Sequence, residues 1–190
     1  MRWDHIRVID RGGWYKKIIP ALQEGSADFL VIADDDVFYP RHWLRRITEA
    51  YRAGSREVLC GRAHRIRLAP DGTPMPYRAW DSEIPAAPGS PLVFPTGIGG
   101  VLYRPDLFHP DVTRADLFQT LCPDSDDLWL YWMARMGGAT FRKVGPRTRA
   151  VTWRRSQQAG LFLANAARGN GNDRQLANLL AHYGPPAFDH

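Results

Sequence analysis

The chain has little cysteine, little lysine and no long apolar run, and each shortage excludes something. Of its 190 residues only Cys60 and Cys122 are cysteines. Two thiols cannot build a disulfide scaffold, so they read as reduced thiols of a cytosolic chain. The longest apolar runs, such as residues 29–33 and 97–103, fall far short of the roughly 20 residues that a membrane-spanning helix needs. The opening residues have no basic end, apolar stretch and small-residue cleavage site of a secretory signal. The expected location is therefore the cytoplasm. There is no internal repeat and no low-complexity tract.

Lysine is confined to Lys16, Lys17 and Lys143, so arginine supplies nearly all of the 25 basic side chains and the net charge of +5. The planar arginine fork matches two oxygens of a phosphate. That points to a polyanion: nucleic acid, the anionic inner face of a membrane, or a phosphorylated small molecule. A solvated basic surface is the plain alternative. No basic run resembles a nucleic-acid arm, and the nearest cluster, Arg41, Arg45 and Arg46, lies along an expected helix. Nucleic acid is accordingly not the expected partner.

Hydrophobic residues make up 44% and charged residues 24%, enough apolar material for one domain with a real core. Residues 5–10 (HIRVID) alternate like a strand. Residues 14–24 carry a helical apolar face interrupted by Pro20. Residues 28–33 (DFLVIA) form a continuous apolar run, as expected of a parallel strand buried on both faces. Residues 40–53 read as an amphipathic helix with Pro40 in its first turn. This alternation is that of an open α/β sheet. Short strands are expected at 57–60 and 64–68, then a long irregular segment rich in proline over 74–95. A strand follows at 98–103, helices at 113–121 and 126–136, and strands at 139–144 and 149–153. A last helix starts at Asn172 or Asp173 and runs to about His182.

The sharpest feature is Asp34-Asp35-Asp36, at the carboxyl end of the apolar run. Open α/β sheets bind ligands at that edge. In an extended segment Asp34 and Asp36 would point the same way and offer hard oxygens to Mg²⁺ or Mn²⁺. An acidic capping loop before Pro40 is the competing explanation. Two further segments stand out. TGIGGVLY (96–103) has Gly97, Gly99 and Gly100, which let backbone approach a ligand or mark a strand entry. DSDDLWL (124–130) places Asp126 and Asp127 at a helix start, where acidic residues also serve as ordinary caps.

Over residues 5 to 153 these three segments together resemble the nucleotide-sugar-dependent glycosyltransferases of GT-A type, the family 2 enzymes in particular. The resemblance implies an α/β fold: a Rossmann-like open mixed sheet flanked by helices, here lacking the strand, helix and strand that open such domains and so N-terminally incomplete. Residues 1–190 would form a single partial domain, with 156–190 as a helical C-terminal extension. Asp34 and Asp36 would hold Mn²⁺ or Mg²⁺, which stabilises the departing diphosphate. Asp34, Asp35 and Lys17 would lie near the nucleotide. Asp126 or Asp127 would deprotonate the acceptor hydroxyl in an inverting reaction. Gly99 and Gly100 would flank the acceptor, with Trp80 stacking on a sugar; packing inside the domain is the alternative for Trp80 and Tyr77.

The implied substrates are a nucleoside-diphosphate sugar and a carbohydrate or lipid-linked acceptor. The open sheet edge invites a partner chain, and the basic surface suits peripheral association with the inner face of a membrane. Two rivals share the first motif. A truncated module could bind without transferring. A haloacid-dehalogenase-type phosphatase would use Asp34 as nucleophile, but it needs a lysine ahead of its later acidic pair, and Lys143 comes after Asp126 and Asp127. Arg154, Arg155, His182 and His190 carry no convincing motif.

Overall fold

The computed structural model describes residues 18–147, 151–152 and 171–188. The expected strand at 5–10, Lys16, Lys17, Arg154, Arg155, His190 and the 156–170 part of the extension lie outside these residues.

The helix expected over 14–24 is described as α1, Ile19–Glu24. Pro20 sits in its first turn, where the missing N–H costs nothing, so it starts the helix and does not kink it. Leu30–Ile32 forms β1, Trp43–Glu49 α2, Glu57–Cys60 β2 and Ala63–Arg65 β3. The proline-rich segment is more ordered than its composition suggests. It holds β4 (Ala87–Ser90) and β5 (Val93–Pro95), and β5 pairs antiparallel with β3. After one 3₁₀ turn, Gly97–Gly99, comes β6, Val101–Tyr103. The remaining elements are α3 (Ala115–Leu121), α4 (Asp126–Met136), β7 (Thr140–Lys143) and α5 (Gly171–Tyr183).

The main sheet is mixed, in the order β1-β6-β2-β7-β4. Among the described residues only β2 and β7 pair parallel; β6 runs antiparallel to both β1 and β2, and β4 antiparallel to β7. The expectation for β1 is corrected in two ways. It pairs antiparallel, and among the described residues it is an edge strand, with only Ile32 fully buried.

Side-chain alternation explains the two layers. Leu59 and Leu102 face one side and pack with Ile47 of α2. Val58, Cys60, Val101, Tyr103 and Phe141 face the other, toward α3, α4 and α5. A run such as Val58-Leu59-Cys60 is thus buried on both faces although its side chains point alternately. Helix α4 is buried continuously from Leu128 to Arg135, between the sheet and the outer helices. Trp129 and Trp132 are among its fully buried rings, and each removes roughly 200 Å² from water, on the order of 5 kcal/mol. Helix α5 adds Leu176 and Leu179 to the same core.

Candidate functional site

Strand order brings four segments to one end of the sheet. Ile32, Val101, Cys60 and Lys143 form a row across β1, β6, β2 and β7. Because β1, β2 and β7 run one way and β6 the other, the chain leaves this row into 33–36, 61–62 and 144–145 and enters it from 96–100. Such carboxyl ends are where open sheets hold ligands.

The aspartate triplet follows β1 directly. Asp35 and Asp36 form a turn and not an extended segment, so simple alternation does not set the direction of Asp34 and Asp36. The turn is anchored on both sides. The Asp34 backbone N–H donates to Tyr39 Oη at 2.9 Å. Val37 bridges Thr152, and the Phe38 N–H donates to the Val151 carbonyl at 2.8 Å. Asp34 and Asp36 are half-buried, whereas Asp35 is exposed.

The second acidic group meets the first across Gly97. Ser125 caps α4, its Oγ accepting from the Leu128 N–H at 3.4 Å. Asp126 Oδ1 accepts from the Asp127 N–H at 3.1 Å, and Asp127 Oδ1 accepts from the Gly97 N–H at 2.9 Å. A methyl group placed on Gly97 would stand 3.2 Å from Asp127 Oδ1 and 4.0 Å from Asp34 Oδ1. The two carboxylates therefore face one gap, walled by the backbone of Gly97. The charge of Asp127 is felt behind that wall. Burial first, and then Asp127 and Asp126, push the Tyr103 phenol well above its ordinary value. Burial and Asp127 also raise the Tyr77 phenol.

The other glycines of this segment answer to protein packing. The Gly99 carbonyl accepts from Trp43 Nε1 at 2.9 Å. A Cβ on Gly99 would fall 2.3 Å from Arg62 Cβ, and one on Gly100 would fall 2.2 Å from Trp43 Cζ2. Both positions are thus closed by Arg62 and Trp43 on the side where a side chain would project. The strand expected at 98–103 begins only at Val101, because Gly97–Gly99 form a 3₁₀ turn.

Trp80, expected as a sugar platform, belongs to the core. It is 6% exposed, packs its ring against Tyr77 and Phe94, and donates its indole N–H to the Met75 carbonyl at 2.8 Å. Lys143, the only late lysine for a phosphatase reading, donates to the carbonyls of Val144 (3.0 Å), Gly145 (3.0 Å) and Pro146 (2.9 Å). All three of its N–H groups are engaged there.

A network that sequence reasoning missed braces the glycine segment. Arg62 donates to Glu83 Oε1 at 2.9 Å through one nitrogen and at 3.2 Å through another, and to Thr96 Oγ1 at 2.9 Å. Glu83 is held at φ 51°, a left-handed conformation rare for a side chain of this type. Its N–H donates to His64 Nδ1 at 3.0 Å, and its carbonyl accepts from Arg147 Nε at 2.6 Å. The hydrogen bond from Arg62, against a smaller opposing effect of burial, lowers the Glu83 carboxyl from its ordinary value. Arg62 thus ties this loop to Thr96, next to the Gly97 that holds Asp127. No spacing rule joins these residues; the only local signal is the alternation of Arg62 and His64.

Among the described residues, no three His, Cys, Asp or Glu side chains are grouped so as to hold a metal ion by themselves, and no helix is long and apolar enough to cross a membrane. Comparison with models of known protein families, with curated proteins and with solved structures returns no match for this chain.

Proposed function

We propose that the chain is a metal-dependent glycosyltransferase of GT-A type. It moves a sugar from a nucleoside-diphosphate sugar to a carbohydrate or lipid-linked acceptor, with inversion at the anomeric carbon, in the cytoplasm. One juxtaposition supports this reading: Asp34 and Asp127 turn carboxylate oxygens toward the same gap beside Gly97. Carboxylate oxygens are hard donors, and Mg²⁺ is commonly held by one or two of them together with substrate phosphates and water. By the chemistry of their donors Asp34 and Asp36 suit such an ion, which would need no three-residue protein cage. The ion would supply Lewis acidity toward a leaving diphosphate. Asp35, exposed on the turn, lies next to the nucleotide in this reading.

The chain's own part is positioning and proton transfer. The Gly97 N–H fixes Asp127 Oδ1, so the carboxylate is oriented before substrate arrives and takes the acceptor's hydroxyl proton. Asp126 holds the Asp127 backbone. Gly99 and Gly100 shape the wall from their backbone.

Titration calorimetry with nucleoside diphosphates tests the reading. Binding is expected to need Mn²⁺ or Mg²⁺, and to vanish with a chelator and in Asp36→Ala, which keeps the parent's circular dichroism. Asp127→Asn retains the acceptor for the Gly97 N–H. It should bind nucleotide normally yet release nucleoside diphosphate from the sugar donor at least about 100-fold more slowly. Nucleotide binding indifferent to chelation removes the metal assignment. Metal-dependent binding with no turnover for any donor reduces the chain to a binding module.

A further inference from the structure

A second pocket lies beside the acidic gap, and its chemistry differs. It is lined by Tyr39, Trp43, Arg46, Ile47, Ile98 and Val144, among others. Helix α2 supplies Trp43, Arg46 and Ile47 at positions i, i+3 and i+4, one face of the helix. Most polar atoms in this wall already have protein partners. Trp43 Nε1 donates to the Gly99 carbonyl, Tyr39 Oη accepts from Asp34, and the Arg62 guanidinium, also in the lining, is held by Glu83 and Thr96. The pocket therefore offers rings and aliphatic carbon.

Arg46 is the exception. It is exposed, and among the described residues its side chain makes no ion pair or hydrogen bond. Its stem lies over Gly145, where a Cβ would meet Arg46 Cδ at 2.8 Å. The Gly145 carbonyl accepts from Lys143 Nζ at 3.0 Å, so a second cation stands one peptide away. Among the described residues Lys143 has no carboxylate partner either. Burial lowers the Lys143 ammonium from its ordinary value; Cys60 opposes this, and repulsion by Arg46 adds a smaller push in the same direction as burial. Arg46, exposed at the border of an apolar pocket and without an acid among the described residues, is a charge that an anion completes.

We propose that this pocket binds an organic phosphate ester, its phosphate on Arg46 and its apolar or planar group against Tyr39, Trp43, Ile98 and Val144. The guanidinium fork suits two phosphate oxygens, and the aromatic wall accounts for the organic part. The site shares Gly99 and Tyr39 with the proposed transfer site but goes beyond the transfer reaction, since it needs no metal and neither acidic group.

Calorimetry on the full chain, in the presence of a chelator, uses phenyl phosphate, inorganic phosphate and benzyl alcohol as probes. Phenyl phosphate is expected to bind at least about tenfold more tightly than either of the others, and Arg46→Gln to weaken it about tenfold. Arg45→Gln, an exposed neighbour outside the pocket, leaves binding unchanged and controls for net charge. Sedimentation with phosphatidylcholine vesicles containing phosphatidic acid separates the two sources of such an ester. Binding to vesicles that Arg46→Gln abolishes assigns a lipid phosphate. Binding to phenyl phosphate alone assigns a soluble ester. Inorganic phosphate binding as tightly as phenyl phosphate, equal losses in Arg45→Gln and Arg46→Gln, or binding to neither probe nor vesicle overturns the proposal.

Discussion

Gly100 and Gly54 share a positive φ of 78°, but only Gly100 has a neighbour in the way. A Cβ at Gly54 meets nothing within 4 Å, whereas one at Gly100 would enter the indole of Trp43. Gly54→Ala should therefore cost about 1 kcal/mol, the conformational penalty alone. Gly100→Ala should cost about 3 kcal/mol, since it adds overpacking to that penalty. Urea unfolding of the two variants measures the difference, and equal losses would mean that Trp43 does not sit on Gly100. His64 makes a different residue-scale prediction. Burial, helped by Arg62 and opposed by Glu83, pushes its imidazole from 6.5 down to about 4. The unfolded chain takes up this proton near pH 6.5 and the folded chain only near pH 4. The stability contributed by neutral His64 is therefore complete above pH 6.5 and is lost as the pH falls toward 4. The whole window is worth roughly 3 kcal/mol. His64→Gln can still accept the Glu83 N–H but cannot titrate, so it should lose less stability than the parent between pH 7 and pH 4.5. The same loss in both proteins would show that His64 is protonated in the fold at ordinary acidity.

At the scale of elements, α5 does more for the site than its place near the end of the chain suggests. Gln175 is fully buried; its Oε1 accepts from the Asp124 N–H at 2.9 Å and its Nε2 donates to the Gly171 carbonyl at 3.0 Å. Asp173 Oδ1 accepts from the Tyr77 N–H at 2.6 Å, and Asn178 donates to the Leu121 carbonyl at 3.2 Å. The helix thereby holds the residue that leads into Ser125, Asp126 and Asp127. Gln175→Ala strands a half-buried donor and a half-buried acceptor and should cost about 2 kcal/mol, the lost packing of a buried side chain included. Arg174→Ala, which removes an exposed ion pair to the same Asp124 at 3.9 Å, should change stability by no more than about 0.5 kcal/mol. Thermal unfolding compares them; if Arg174→Ala is the worse of the two, α5 is held by charge and not by the buried amide. Helix α4 itself was readable in advance, because its cap, its acidic first turn, its apolar length and the closing Gly137 all agree. Strands β4 and β5 were not. Proline marks an irregular segment by its missing donor, yet Pro95 pairs opposite Ala63, and the next residue's N–H, that of Thr96, resumes bonding to the Arg62 carbonyl.

For the whole molecule, what local pattern could not supply is strand order. The apolar run ahead of Asp34 identified a strand, but its antiparallel pairing with β6 comes from residues some seventy positions later. For the same reason the acidic groups were legible one by one, while their meeting across Gly97 and the bracing of Thr96 by Arg62 were not. The layer of outer helices and the sheet face it covers share one core. A single cluster of buried side chains runs from Ile18 through Cys60 and Cys122 to Leu179, so elements distant in the chain should open together. The two thiols can report this. Burial pushes the Cys60 thiol up to about 12, with Asp127 adding and Lys143 opposing, and burial alone raises Cys122. Neither is a nucleophile in the fold, because the thiolate is the reactive form and both side chains are inaccessible. In native buffer at pH 8 neither should react with a thiol reagent over the time that labels both in denaturant. Across a urea series, with the labelled cysteine identified by peptide mass, Cys60 at the sheet and Cys122 beside the outer helices should become reactive at the same urea concentration. That concentration should match the loss of circular dichroism. Labelling of Cys122 well below that midpoint, with Cys60 still protected, would split the outer helices from the sheet and end the description of one cooperative core.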